Sequence, residues 1–316
     1  MADAFTSTSS LDFDQVMWDR ALYYALRPQL YFDSFADVQP TDTTPAQGSS
    51  VTFTFWNDLA AATTPLSETV DVDAVALSDS QITLTPAEYG NAVVTTFRVR
   101  ATSFIPLDRP VANIVGFNAG ISQDTLARNI VQAGSNVRYA STAVSRVTVG
   151  ASMVLTASQV RRAYVDLQGA NVPQFGGYYA AVIHPDQSYD LRGETGSAAW
   201  RDPHTYSQPA EIWNGELGEF EGFRFLVSPR APLFADAGVG GTVDVYAALF
   251  FGRQALAKVY STYEGRGPFP ITIMGPVTDK LKRFQPVGWH WYGGYGVFRQ
   301  AALRRVETSS SIGANT

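Results

Sequence analysis

An α+β fold is the architecture this sequence predicts, with strands and helices intermingled along a single chain of 316 residues. Three observations point there. Short segments alternate apolar and polar residues at a period of two, as in Val51, Phe53 and Phe55 between Thr52 and Thr54. Two longer segments carry helical spacing with start and stop signals at their ends. Neither a regular βαβ period nor an internal repeat runs through the chain.

Taken in order, Ser10 can cap a first helix, with Asp12 and Asp14 favouring its N-terminus and Val16, Met17, Leu22, Tyr23 and Leu26 at helical spacing; Pro28 ends it. Residues 38–50 (VQPTDTTPAQGSS) read as an extended connector rather than a packed element, so residues 1–50 form an arm. Strands are expected from Val51, at Ile82 and Leu84, and over Val93–Arg100. Between them, residues 58–80 hold Asp58, Glu68, Asp71, Asp73 and Asp79 with few large apolar groups, which predicts a projecting loop or hairpin.

Asp108 and Pro110 open the longest helix, whose apolar face reads as Ile114, Phe117, Ile121, Leu126 and Ile130 and whose stop is Gly134. Gly116 and Gly120 share one of its faces, at a cost of about 1 kcal/mol each relative to Ala, so this face needs close backbone approach or a bend. A second helix starts at Thr156, with Gln159 at capping-box spacing, and runs through Val160, Tyr164 and Leu167 to Gly169. A strand over Gly177–His184 follows, and Pro185 and Asp186 begin a short helix through Tyr189 and Leu191. Further strands are expected at Phe223–Val227, Val243–Phe251, Ile271–Met274 and Gly296–Arg305, and Thr308–Thr316 reads as a tail.

Composition narrows the function. Hydrophobic residues make up 45% and aromatics 13%, against 16% charged, which is a folding chain with little charge to spare for a free surface. That shortage predicts extensive protein interfaces. With no cysteine there are no disulfides, thiolate zinc sites or cysteine nucleophiles. Residues 1–10 lack the basic and apolar regions of a signal peptide, and the longest apolar run, Val243–Phe251, is interrupted by Asp244 and too short to span a bilayer, so no membrane partner is expected. Residues 1–97 carry 2 Arg against 13 Asp and Glu, a net −11, while residues 98–316 carry 21 basic and 16 acidic residues, a net +5. The halves are complementary, within one molecule or between copies of a symmetric assembly. A pI of about 5.1 with only Lys258, Lys280 and Lys282 argues against a nucleic-acid reader.

No catalytic constellation emerges, and no cofactor is implied. His184, His204 and His290 are scattered and form no metal motif. Asp186, Asp190 and Glu194 follow at steps of four, which could serve acid/base chemistry but is accounted for by a solvated helix face near Arg192. Neither a phosphate-binding loop nor a nucleophile elbow occurs. The aromatic run Trp289, Trp291, Tyr292, Tyr295 and Phe298, interleaved with glycines, suits packing at an interface better than stacking on bases; stacking on sugars is the other reading.

The order of elements, an arm, an acidic β-loop, a long helix, a compact α+β region and a last strand, resembles the Hong Kong 97 capsid fold. The resemblance sharpens at GYYAAVIHPDQSYDLRGET (Gly177–Thr195), IWNGELGEFEGFRF (Ile212–Phe225) and YGVFRQAALRRVE (Tyr295–Glu307), segments similar to the phage N4-like major capsid family. It implies a structural shell protein of a tailed phage and no enzyme. It maps residues 1–50 to the N-terminal arm, 51–100 to the extended loop and its base, 101–151 to a peripheral domain with a spine helix, 152–290 to an axial domain, and 291–316 to a return strand of the peripheral domain and a tail. It further implies homo-oligomers in pentamers and hexamers, a portal, a separate scaffolding protein, a decoration protein on some shells, and DNA enclosed without sequence-specific binding. The expected sites are inter-subunit: the acids Asp58, Glu68, Asp71, Asp73 and Asp79 of one copy against Arg128, Arg138, Arg146, Arg304 and Arg305 of another. Some shells of this fold are covalently linked through a loop lysine, and this chain departs from that pattern because no lysine precedes Lys258. The competing readings are an encapsulin-type nanocompartment shell and a carbohydrate-binding virion or surface protein.

Overall fold

The computed structural model describes residues 5–6, 30–41, 50–66, 68, 71–103, 107–196, 218–262, 267–275, 279–281 and 283–312. The helix expected from Ser10, residues 42–49 of the connector, His204 and residues 212–217 lie outside the described residues.

Strands β1 (Phe5–Thr6), β2 (Asp37–Thr41), β3 (Val51–Trp56), β4 (Asp79–Leu84) and β5 (Ala87–Thr96) come first, then helices α1 (Phe97–Thr102) and α2 (Asp108–Gln132). Next are β6 (Val137–Tyr139), α3 (Ala157–Gly169), β7 (Tyr179–Ile183) and α4 (Pro185–Gly193). The remainder is strand: β8 (Glu219–Phe220), β9 (Phe223–Val227), β10 (Leu233–Phe234), β11 (Val245–Phe251), β12 (Leu256–Ser261), β13 (Ile271–Met274), β14 (Phe284–Val297) and β15 (Leu303–Thr308). One sheet has the order β1-β5-β14-β12-β2, with β13 also paired to β14; a second has the order β6-β15-β11-β7-β9-β8, with β10 paired to β11. β3 and β4 form a separate antiparallel hairpin.

The second sheet holds the largest core. Its central strand β11 is buried at every position, which explains the apolar stretch from Val245 to Phe251. α3 covers it through Val160, Ala163 and Leu167, starting at the capping box of Thr156 and Gln159. In the first sheet, Trp289 and Trp291 of β14 pack against Val115 and Ala119 of α2. At about 1.5 Å per residue α2 is roughly 37 Å long, enough to reach both cores. Its first half meets the tryptophans, and Ala127 and Val131 near its end join the second core.

Several elements differ from the sequence expectation, each for a physical reason. The buried face of α2 is Val115, Ala119, Gln123, Asp124, Ala127 and Val131, while Ile114 is 53% exposed; Ala119 and Ala127 let the helix sit close to both sheets, and the larger apolar side chains flank that stripe. Val93–Arg100 is not one strand: the Thr96 side chain accepts from Val99 N–H at 3.3 Å and turns the chain into α1. Residues 38–41 are extended as read, but as part of β2 they pair in parallel with β12. Gly296–Arg305 is likewise two strands, β14 ending at Val297 and β15 starting at Leu303 in the other sheet. Residue 290 falls inside β14, which begins at Phe284 and was hidden by its glycines and Pro286. A Cβ on Gly288 would lie 2.8 Å from the Asn91 carbonyl oxygen, so the glycine admits the neighbouring strand. The tail is packed as far as Ser310, which is 6% exposed, and Ser311 donates to Asp190.

Candidate functional site

The part of the chain most in need of a partner is the hairpin. Its root is fixed by rings: Phe53 and Phe55 meet Phe298 edge-on with centroids 5.6 and 4.7 Å apart. Thr52 and Thr83 hydroxyls pair across the ladder at 3.1 Å, and the last rung is Asn57 N–H to the Ser78 carbonyl at 3.0 Å. Beyond it the described residues up to Ser78 are all exposed. Asp58, Glu68, Asp71 and Asp73 lie there, and Asp79 begins β4, taking a hydrogen bond from Gln81 at 3.2 Å. Between the acids stand Leu66, Val72, Val75 and Leu77, 60–77% exposed. A strand pair with no described residue packed on its tip is marginal alone, and exposed apolar side chains grouped in this way make the hairpin a candidate contact surface.

Of the five expected arginine partners, the structure gathers four along the β6–β15 edge and leaves Arg128 on α2. Arg138 and Arg304 share Asp166: Arg138 clamps it with both nitrogens, Nη2 at 2.7 Å, and Arg304 Nε lies at 3.6 Å. Arg146 and Arg305 share Glu307, whose side chain has no exposed surface; Arg146 Nε and Nη2 reach its oxygens at 2.8 and 2.7 Å, and Arg305 Nε at 2.8 Å. The Arg146 guanidinium also stacks on Phe234, 3.4 Å from the ring centre. The hydrogen bonds to the carboxylates hold Arg138 and Arg146 above the usual arginine range, whereas burial pulls Arg305 below it despite Glu307. Arg128 donates to the Arg230 carbonyl at 3.3 Å and to Asn129 at 3.1 Å; burial and the Arg230 charge lower its pKa. Asp166 stands between Val165 and Leu167, and Glu307 pairs with Arg146 as well as with nearby Arg305; no local pattern announces a carboxylate that neutralises an arginine 28 or 161 residues away.

The groups weighed for chemistry have structural uses. His184 Nδ1 accepts from Asp186 N–H at 3.3 Å and caps α4, and burial lowers the histidine pKa, which keeps it the neutral acceptor this role needs. His290 Nε2 contacts Glu88 on the outer side of the sheet. The solvated row of carboxylates does not exist: Asp190 is 8% exposed and receives Ser311, and Glu194 accepts from Ala157 N–H at 2.7 Å, capping α3 instead. The aromatic run is also not a free platform. Trp289 and Trp291 are 5% and 2% exposed, and Trp289 Nε1 donates to Asn118 of α2 at 2.8 Å, so these rings belong to the chain's own core rather than to an interface or a sugar site. Among the described residues no group of three or more His, Cys, Asp or Glu converges to hold a metal ion, and no helix is long and apolar enough to cross a membrane.

A profile of the family described as "Phage capsid protein" matches residues 7–311. No curated protein matches the chain. Solved structures with the same fold include the capsid of Ralstonia phage GP4, with a TM-score of 0.75 at 17% identity and 98% of each chain covered. The capsid of cyanophage P-SCSP1u gives 0.71 at 14% identity, covering 97% of this chain and 96% of that one. The capsid asymmetric unit of cyanophage Pam1 gives 0.70 at 15% identity, covering 98% and 100%.

Proposed function

This chain belongs to the phage capsid protein family, and from that premise we propose that it is the major capsid protein of a tailed phage, a non-enzymatic subunit that self-assembles into the icosahedral head shell around double-stranded DNA. The observation that carries the reading is the family match from residue 7 to residue 311, supported by end-to-end likeness to capsid structures. A compartment for enzymes or a glycan-binding protein has no comparable support.

Within that reading the hairpin β3–β4 is the extended loop, α2 the spine of a peripheral domain built with the first sheet, and the second sheet the axial domain around pentamer and hexamer centres. The exposed acids of the hairpin lie on the basic surface of the next copy. Arg138, Arg146, Arg304 and Arg305 enter that surface already paired to Asp166 and Glu307, so they contribute residual field rather than bare cations, and Arg128 has hydrogen bonds to neutral oxygens. A portal, a separate scaffolding protein and, on some heads, a decoration protein complete the particle, which assembles in the host cytoplasm. The net charge of −6 suits a wall that does not grip packaged DNA.

Gradient sedimentation of the expressed full-length chain tests this. A fast-sedimenting species made only of the 34.3 kDa polypeptide is expected. A chain that stays at the top of the gradient as monomer under every assembly condition would count against it.

A further inference from the structure

Residues 30–41, between the N-terminal segment and the hairpin, are fastened to the body through a buried polar cluster. Phe32 is 1% exposed, and its N–H donates to Asp124 Oδ1 of α2 at 2.7 Å. Asp124 is in turn held by Arg230 Nε at 3.0 Å, so those two charges satisfy each other. Asp33 accepts from Lys258 Nζ at 2.6 Å and from the Tyr295 hydroxyl. Lys258 is 1% exposed, and its ammonium stands 5.3, 5.7 and 5.5 Å from the ring centres of Phe269, Trp291 and Tyr295. With Arg230 already engaging Asp124, the countercharge in contact with Lys258 among the described residues is Asp33.

The position of Lys258 gives the pair its reach. Lys258 lies on β12, opposite Val38 of β2 in the parallel ladder. Its neighbours Ala257 and Val259 join Leu84, Val51 and Phe53 in the core at the hairpin root. One strand therefore carries both the strap of residues 30–41 and the base of the hairpin that follows it. β2 is an edge strand, whereas β5, β14 and α2 hold one another without it.

We propose that Asp33, Lys258 and Tyr295 form a latch that fastens residues 30–41 to the body; opening it frees the strap, edge strand β2 included, while the other strands of both sheets stay paired. The physical reason is asymmetry: a paired buried ammonium is tolerated, but removing its carboxylate strands a charge that escapes by undocking the strap, and removing the ammonium leaves the 24% exposed Asp33 carboxylate without its countercharge and free to turn to solvent. Replacing both by neutral groups strands nothing.

Hydrogen exchange by mass spectrometry on the full chain tests the latch. In Lys258→Met and in Asp33→Asn, amides of residues 32–41 should exchange at least about tenfold faster, with those of β11 and β15 at parental rates. In the Asp33→Asn/Lys258→Met double variant strap protection should return. Unchanged strap exchange in both single variants overturns the proposal. So does acceleration spread equally over β11 and β15, which would make Lys258 an ordinary core residue, and so does a double variant that stays open. None of these readouts depends on shell formation, so the latch and the capsid reading stand or fall separately.

Discussion

Glu307 accepts both Arg146 and Arg305 with no exposed side-chain surface, in a strand whose other residues are mostly buried. Replacing it with Gln leaves two guanidinium groups facing each other without their countercharge. Glu307→Gln should therefore lose about 3 kcal/mol in urea unfolding. Arg138→Ala, which removes a partner 36% exposed, should lose no more than about 1 kcal/mol by the same measurement. His184 sets a pH dependence of opposite origin. Its folded pKa lies below 6.5 because of burial, so the unfolded chain takes up the proton first as pH falls. The neutral ring's contribution is then complete above about pH 6.5 and is lost progressively as pH drops below it. Urea midpoints at pH 7 and pH 5 should differ more for the parent than for His184→Asn, which can keep the α4 cap without titrating.

The helices and the hairpin were largely legible because their signals are local. Asp108, Pro110 and Gly134 bracket α2, and the Thr156–Gln159 box opens α3 at the residue expected. What was not legible depends on which neighbour arrives. The face of α2 is chosen by two sheets that need small residues beneath them, so Ile114 points outward. β14 looks like a glycine-rich aromatic loop until β5 and β12 lie on either side of it. The candidate arginines were identifiable as basic but not as already paired, since Asp166 is 28 residues from Arg138 and Glu307 is 161 from Arg146. The two helix glycines also part company. Nothing lies within 4 Å of a Cβ on Gly116, whereas one on Gly120 meets Leu30 Cδ1 at 3.0 Å. Gly116→Ala should accordingly raise stability by about 1 kcal/mol in a thermal melt, and Gly120→Ala should gain less or lose, because the Leu30 side chain must shift.

At the scale of the whole molecule, the distribution of charge and exposed apolar surface fits the proposed contact between copies. The hairpin leaves the body carrying acids and aliphatic side chains together, and residues 98–316 are net positive. Reversing Asp71, Asp73 and Asp79 to Lys should impair assembly without changing the melting of the isolated chain, as read by gradient sedimentation beside calorimetry; normal particles from that variant would remove the electrostatic role of the hairpin. Because no lysine precedes Lys258, the hairpin has no amine to form a cross-link, and denatured particles should run as single chains of 34.3 kDa. A ladder of covalent oligomers would contradict this.

A subunit of the kind proposed builds a closed shell from identical copies. Negative-stain electron microscopy of the purified full-length chain, with size-exclusion elution recorded on the same sample, tests it most directly. Closed polyhedral particles, or rings of five and six subunits, are the predicted result. A monodisperse monomer that forms neither up to its solubility limit, in crowding and salt conditions that favour association, would contradict it.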